Sequence, residues 1–245
     1  MSPVLLTTAY FPPIEYLAAM AAGFTLSADG VKPSIVYLEA CENYQKQTWR
    51  NRCCFYAESG PQYLTYPIVH ENGTHRLPIK EIKVDYSLPW VRQHQRAIVS
   101  AYRTSAYFEY YQDELFSIMD SCPETLFELN TRILMFFIEK TGIYADLRET
   151  ASYEKQEGVC EEPGSPWKSL GLTESYGIDL RQVIHPKHSN DILSRLQLEK
   201  PYFQVFARKH GFVPDLSIMD LLFNEGPDSI LYLKSASSLR LPVRI

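Results

Sequence analysis

The sequence lacks an excess of positive charge and any long apolar run. Its 245 residues contain 24 Lys and Arg against 29 Asp and Glu, a net charge of -5. Non-specific nucleic-acid binding needs a basic surface that displaces counterions, so no nucleic-acid partner is expected. The longest apolar run, near residues 133–138, is far shorter than the ~20 residues of a membrane helix, so no membrane insertion is expected.

Paired cysteine motifs are also missing. The five cysteines form no Cys-x-x-Cys motif, and Cys53 and Cys54 would face opposite sides of a strand, which prevents a bridge between them. A nucleophilic thiol needs a base or a lowered pKa, so structural burial explains this pair better. The sequence begins without a basic leader. These features predict a reduced, cytoplasmic protein.

The common cofactor and nucleophile motifs are absent. No Gly-x-Gly-x-x-Gly, Gly-x-Ser-x-Gly, P-loop or zinc ribbon occurs, so no cofactor is predicted. His185 and His188 form the sequence His-Pro-Lys-His. Proline disfavours a helical histidine pair, and no third ligand is evident. A surface loop without a metal is the favoured interpretation.

What the sequence does contain fits a single globular domain. The length allows a sizeable core, and 45% hydrophobic with 22% charged residues is ordinary for a globular chain. The 17 tyrosines suit wet clefts or an interface, because the ring packs while the hydroxyl stays hydrogen-bonded. A homo-oligomer therefore remains open.

Residues 4–41 predict a Rossmann-like βαβ start. Buried strands are expected at 4–8 and 34–41, with a helix between them that begins after Pro12 and Pro13 and stops at Gly23. Strand, helix and strand in this order favour a parallel pair. The loops after both strands would meet at the carboxyl edge, where open α/β sheets bind ligands. Thr7, Thr8 and Tyr10 should share that crevice with residues 42–52.

Residues 53–141 predict a β-hairpin and a helical middle section. The turn Ser59-Gly60-Pro61 separates strands at 53–57 and 62–69. Helices are expected after Ser87, after Ser105 and over 123–141, the last one ending at Gly142. Further predictions are strands at 79–86, 143–148 and 201–206, a mobile loop at about 153–171, and a helix at 216–225 capped by Ser217. The fold class is α/β (mixed α+β), with residues 1–245 in one domain.

Residues 42–52 concentrate charges and aromatic rings. Arg and Lys beside aromatic rings can bind an anion and stack a planar group at the same time. We therefore predict a ligand site here, with a solvated loop whose tryptophan fills the core as the alternative. The residues concerned are Glu42, Tyr44, Lys46, Trp49, Arg50, Asn51 and Arg52.

His94 is the candidate general base. A histidine with a pKa of ~6.5 transfers protons near neutrality; the alternative is a helix residue packed beyond Trp90. Asp220 follows Ser217 by three residues, which favours a capping box over a catalytic role. Asn224, one turn further, would share its helix face and remains a candidate for the site.

The ordered motifs resemble the WbqC-like family of bacterial proteins. The resemblance covers nearly the whole chain, although no single motif is as specific as a Walker motif. The matching pieces are Tyr10-Phe11-Pro12, Tyr44-x-Lys46-x-Thr48-Trp49-x-Asn51-Arg52, Trp90-x-x-x-His94, Ser105-Ala106-Tyr107-Phe108, Tyr202-x-Gln204-x-Phe206 and Leu216-Ser217-Ile218-x-Asp220-Leu221-Leu222-Phe223-Asn224-x-Gly226.

The resemblance implies a role in O-antigen or other surface-polysaccharide biosynthesis. We expect a transferase acting on a nucleotide-linked sugar or amino sugar, with acyl or aminoacyl transfer as the subtype. Lys46, Arg50 and Arg52 would neutralise the diphosphate. Tyr44 and Trp49 would stack, Asn51 would orient the acceptor, and His94 would take the proton.

Two alternatives stay open. The family opening His-Gln-Pro-Asn-Tyr-Phe-Pro-Trp corresponds here to residues 6–13, which lack the histidine, the asparagine and the tryptophan. That difference favours a non-catalytic binding or scaffolding protein. A Mg²⁺-dependent nucleotidyl-type transferase would need a carboxylate near the phosphates, and Glu42 is the candidate.

Overall fold

The computed structural model describes residues 3–22, 25–27, 30–70, 76–155, 157–159, 171–173, 177–188, 190–198 and 200–234. The strands are β1 (Val4–Thr7), β2 (Thr25–Ser27), β3 (Gly30–Lys32), β4 (Ser34–Glu39), β5 (Arg52–Ala57), β6 (Gly60–Thr65), β7 (Ala145–Glu149), β8 (Glu157–Val159), β9 (Gly171–Thr173) and β10 (Gly177–Asp179). The helices are α1 (Ile14–Ala22), α2 (Trp90–Tyr102), α3 (Phe108–Asp120), α4 (Leu126–Thr141), α5 (Ile192–Arg195), α6 (Ala207–His210), α7 (Ile218–Glu225) and α8 (Ser229–Lys234).

One mixed sheet organises the fold. Its strand order is β7-β4-β1-β10-β9-β8. The first four strands are parallel neighbours, whereas β9 and β8 add antiparallel pairs at one edge. Val4 of the central strand β1 lies opposite Val36 and Ile178. All of β1 is buried, as expected for a parallel strand covered on both faces.

The predicted βαβ start is confirmed. β1 and β4 pair in parallel, and α1 between them buries all nine of its residues. The helix begins directly after Pro13, where a missing N–H costs no hydrogen bond. A short β2–β3 hairpin precedes β4, and the sequence did not predict it. Gly23, the predicted stop of the first helix, lies outside the described residues.

The hairpin and the helical middle section are also confirmed. β5 and β6 pair antiparallel, and Gly60 makes the turn with φ 102°. Thr125 caps α4 by accepting from the Glu128 N–H, and Gly142 ends this helix with φ 71°. The predicted caps Ser87 and Ser105 are wrong, because α2 and α3 begin after Pro89 and Tyr107 with no side-chain cap.

Two predicted strands are wrong. Residues 79–86 form a 3₁₀ turn and isolated bridges, because the backbone bonds there to the start of α4, with Leu126 donating to Ile82. Residues 201–206 contain no strand. The side chain of Gln204, rather than a neighbouring strand, pairs with the backbone there: it donates to the Val213 carbonyl and accepts from the Val213 N–H. Of the predicted loop at 153–171, residues 157–159 form β8, and residues 160–170 lie outside the described residues.

Within the described ranges, no helix has both the length and the apolarity that crossing a bilayer requires.

Candidate functional site

The carboxyl edge of the parallel strands carries a buried ionic cluster, which we call the Arg181 cluster (Glu39, Asp179 and Arg181). Arg181 pairs with Glu39 over 2.6 Å and with Asp179 over 2.7 Å. It also donates to the Glu154 carbonyl over 2.8 Å. All three charged side chains are at most 3% exposed. The cluster therefore locks the ends of β4 and β10 together, and its charged groups are buried and bonded within the protein.

Arg50 and Glu42 form a second buried pair at this edge. Arg50 Nε donates to Glu42 Oε1 over 2.8 Å, and Nη2 donates to Oε2 over 2.5 Å. Burial raises the pKa of Glu42 more than Arg50 lowers it. Both groups were expected near a phosphate, Arg50 as a ligand and Glu42 as a Mg²⁺ ligand. The structure places them against each other, with side chains only 2% and 4% exposed.

A cleft of about 510 Å³ lies beside this segment, and we call it the Lys46 cleft. Four of the predicted site residues line it: Tyr44, Lys46, Asn51 and Arg52. The β6 end and the start of α2 complete the walls. The volume lies within the ~300–1,000 Å³ typical of small-molecule sites.

Aromatic rings form one wall of the Lys46 cleft. Tyr66 stacks on Trp90 with ring centroids 5.0 Å apart and 26° between the planes. The Trp90 indole N–H donates to the Asp85 carbonyl over 3.0 Å, which fixes its orientation. Tyr66 and Trp90 are only 0% and 3% exposed, so this wall is apolar and closely packed. Lys46 and His70 bring polar groups with exposed side chains.

Arg52 connects the cleft to the hairpin. Its guanidinium lies 4.8 Å from the centre of the Tyr63 ring, and its Nε donates to Thr65 Oγ1 over 3.3 Å. Neither contact neutralises its charge. Arg52 therefore keeps a cation at the cleft wall that an anion can approach.

Two hydrogen bonds hold the backbone of residues 50 and 51 in place. Asn130 of α4 donates to the Arg50 carbonyl over 2.7 Å. The Asn51 amide donates to the Tyr66 carbonyl over 2.8 Å. Helix α4 thus holds the backbone beside the Lys46 cleft in place.

Tyr10 and His94 lie in the core and line neither cleft. The Tyr10 hydroxyl and His94 Nδ1 are 2.8 Å apart, and both side chains are buried. Burial lowers the pKa of His94 to about 4. The imidazole is thus neutral at pH 7, and its position favours holding Tyr10 and Trp90 over transferring a proton to a ligand.

A second cleft, of about 340 Å³, lies on the other side of Trp49, and we call it the His185 cleft. His185 and His188 line it with ring centroids 4.6 Å apart. The predicted surface loop therefore carries a cleft wall. Among the described residues no group of three or more His, Cys, Asp or Glu side chains is placed to hold a metal.

Two carboxyls that the sequence interpretation missed line the His185 cleft. The Glu15 backbone N–H donates to Asp215 Oδ1 over 3.0 Å. Burial raises the pKa of both carboxyls, and the charge of Asp215 raises that of Glu15 further. Such a pair holds a shared proton near neutrality. The two residues are 200 positions apart in the chain, so no local pattern could have paired them.

The remaining candidates are buried away from both clefts. Asp220 accepts from the Tyr202 hydroxyl over 2.6 Å and from Gln204 Nε2 over 3.0 Å, so the capping-box interpretation is wrong, although Ser217 does cap α7. Burial raises the pKa of Asp220 to about 6. Asn224 donates to the Asp220 carbonyl over 2.7 Å, which satisfies helix α7 rather than a ligand.

The two adjacent thiols behave as the sequence suggested. Cys53 is buried at 1% exposure, and desolvation raises its pKa. Cys54 lines the His185 cleft, but burial raises its pKa to about 11. A protonated thiol is a poor nucleophile.

The fold and the two clefts define an α/β protein with ligand-sized clefts beside the carboxyl edge of its sheet. Residues 8–232 match the model of the WbqC-like protein family, and the chain belongs to that family. It is also similar to a Mycobacterium tuberculosis protein described as "Uncharacterized protein Rv1507c". The two are 28% identical over 198 residues, which is 78% of this chain and 84% of the relative. No solved structure matches the chain significantly.

Proposed function

We propose that this protein is a cytoplasmic transferase of O-antigen or other surface-polysaccharide biosynthesis. Its substrate is a nucleotide-linked sugar or amino sugar, bound in the Lys46 cleft, and the reaction is acyl or aminoacyl transfer. Membership of the WbqC-like family supports the pathway, and the composition of the cleft supports the substrate class.

The observation that carries the proposal is the pairing of cations with an aromatic wall. Lys46 and Arg52 face the same cleft as the stacked rings of Tyr66 and Trp90. A diphosphate fits the two cations, because charge-assisted hydrogen bonds to phosphate oxygens are short and strong. A nucleobase can stack on Tyr44, which is half-buried and lines the same cleft, while Tyr66 and Trp90 form the packed apolar wall behind it.

Rate enhancement in this proposal is mainly electrostatic. Fixed cations stabilise the negative charge that develops on the oxygen of an attacked acyl carbonyl. Lys46 and Arg52 supply this field, whereas Arg50 supports the wall through its pair with Glu42. His94 acts by holding Tyr10 in place.

The second candidate function is a non-catalytic binding protein of the same pathway. It is favoured by the altered family opening at residues 6–13. The described residues that line the Lys46 cleft include no carboxylate to act as a base. The Mg²⁺-dependent alternative is weakened because both oxygens of Glu42 already bond to Arg50.

Calorimetry with nucleotide sugars, free nucleotides and acyl-coenzyme A, with and without Mg²⁺, tests the proposal. A nucleotide sugar should bind wild-type protein and raise the melting temperature by mass action. Arg52→Ala and Lys46→Ala should each weaken binding about tenfold or more, because each removes a charge-assisted contact.

Arg208→Ala is the matched control, since Arg208 is an exposed arginine on α6 that lines neither cleft. It should leave binding unchanged. Nucleotide-sugar binding that is equally strong in Arg52→Ala, Lys46→Ala and wild type would place the ligand elsewhere. Binding without turnover of any acyl donor would favour the non-catalytic alternative.

A further inference from the structure

The His185 cleft has the polar groups of a second ligand site. Glu15 and Asp215 meet at one wall, and Asn190 bonds to the Glu15 side chain. His185 and His188 form another wall. These groups come from α1, from the turn before α7 and from the loop after β10, so the tertiary fold gathers them.

Trp49 supplies an independent observation at this cleft. Trp49 lines the cleft and is only 8% exposed. Its indole N–H is buried without a hydrogen-bond partner among the described residues. An unpaired buried donor is destabilising, and a ligand oxygen in the cleft would supply the missing acceptor.

We propose that the His185 cleft binds an amino sugar, with its ammonium group against the Glu15–Asp215 pair and a hydroxyl oxygen accepting from Trp49. Binding of the amine at this second site does not depend on the proposed function of the Lys46 cleft.

The charges around the cleft favour an ammonium ion. Near neutrality the carboxyl pair carries a net negative charge, because the two groups share a proton. Burial lowers the pKa of His185, so its imidazole is neutral and adds no positive charge. Arg50, which lies near His185, has its charge balanced by Glu42.

His185 also suits a hydroxyl-bearing ligand. Its Nδ1 accepts from the Lys187 N–H over 3.2 Å, so the neutral ring carries its proton on Nε2. That N–H can donate to a sugar hydroxyl. The carboxyl pair can then accept one proton from the ammonium nitrogen, which leaves a neutral amine with a free electron pair and a protonated pair.

Titration of the protein with glucosamine tests the site, with N-acetylglucosamine as the uncharged control. Nuclear magnetic resonance of the indole N–H groups reports the contact, and Trp49→Phe assigns the signal. Glucosamine should shift the Trp49 signal and leave the Trp90 signal in place. The double variant Glu15→Gln/Asp215→Asn should weaken glucosamine binding about tenfold or more, because it removes the charge that the ammonium meets.

The Asp215→Asn change in this variant keeps an amide oxygen that can still accept from the Glu15 N–H and preserve the start of α1. Glu15→Gln alone leaves one negative charge on Asp215 and should bind glucosamine more tightly than the double variant. Arg52→Ala should bind glucosamine like wild type, and Glu15→Gln should bind the nucleotide sugar like wild type, so the two clefts are tested separately.

Three results would overturn the proposal. The first is no binding of glucosamine to wild-type protein. The second is equal binding of N-acetylglucosamine, which would exclude a role for the charge. The third is unchanged glucosamine affinity in the double variant Glu15→Gln/Asp215→Asn. Loss of nucleotide-sugar binding alone would overturn the function of the Lys46 cleft and leave the amine site standing.

Discussion

The backbone N–H of Tyr10 donates to the carbonyl oxygen of Trp49 over 2.7 Å. This bond joins the loop after β1 to the segment that separates the two clefts. Both loops contain a non-glycine residue in the left-handed region, Phe11 with φ 43° and Gln47 with φ 59°. Such conformations cost roughly 1–3 kcal/mol each and persist where the surroundings enforce them. The wall between the clefts is therefore held under strain by its neighbours.

Removal of Arg50 should destabilise the protein strongly. Arg50→Ala leaves the Glu42 carboxylate buried and unpaired, which costs about 3–5 kcal/mol. Urea denaturation measures the free energy of unfolding. Arg52→Ala is the control and should cost less than about 1 kcal/mol, because Arg52 makes only partly exposed contacts. The double variant Arg50→Met/Glu42→Gln should recover part of the loss. A stable Arg50→Ala variant that no longer binds nucleotide sugar would make Arg50 a ligand residue instead.

The Glu15–Asp215 pair should make stability fall as pH rises. The pKa of both carboxyls is raised in the folded state, so the folded protein binds more protons than the unfolded chain above pH ~4.5. The pair's contribution is fully present below that pH and is lost as pH rises through the folded pKa values. Glu15→Gln should therefore raise the melting temperature relative to wild type increasingly from about pH 5 to about pH 8. A difference that does not change with pH would contradict the shared-proton pair.

His94 should make the stability of the protein rise with pH, opposite to the effect of the Glu15–Asp215 pair. Its folded pKa of about 4 lies below the unfolded value of ~6.5, so the unfolded chain binds the extra proton between these values. Its contribution to stability is present above pH ~6.5 and is lost as pH falls toward 4. The ring resonances of His94 should not titrate above about pH 5. A His94 midpoint near 6.5 would restore it as a candidate base.

Gly226 should not tolerate a side chain. It has φ 55°, and a Cβ atom there would lie 2.5 Å from the Tyr107 ring. Gly226→Ala should cost about 2–5 kcal/mol, from backbone strain together with overpacking. Gly211→Ala is the control, since Gly211 has φ 84° but open space around its Cβ position. It should cost about 1–2 kcal/mol. Equal losses in the two variants would mean that Tyr107 moves aside freely.

Local patterns account for the parts of the fold that the sequence predicted correctly. The turn at Gly60, the buried run of β1 and the stop at Gly142 each depend on neighbouring residues. The strand predicted at 201–206 is wrong because Gln204 bonds to Val213 through its side chain. An alternating sequence pattern does not distinguish such side-chain bonds from the backbone hydrogen bonds of a sheet.

The candidate sites also differ in whether their residues are close together or far apart in the sequence. Tyr44, Lys46, Asn51 and Arg52 lie within nine residues of one another and line one cleft, so the sequence could indicate the Lys46 cleft. The His185 cleft depends on Glu15 meeting Asp215 across the fold. Arg50 was predicted to bind the ligand because it lies in a basic segment. The sequence did not show that its guanidinium is already paired with Glu42.

The Arg181 cluster has a consequence for how this family changes over evolutionary time. Loss of Arg181 alone would leave the completely buried carboxylates of Glu39 and Asp179 without their cation. Replacing the cluster by apolar residues one at a time would therefore pass through a destabilised protein with an unpaired buried charge. We therefore expect these three positions to covary among related chains, either retained together as an ionic set or exchanged together for apolar residues. An alignment of homologues that showed Arg181 replaced while both acids persist would refute this expectation.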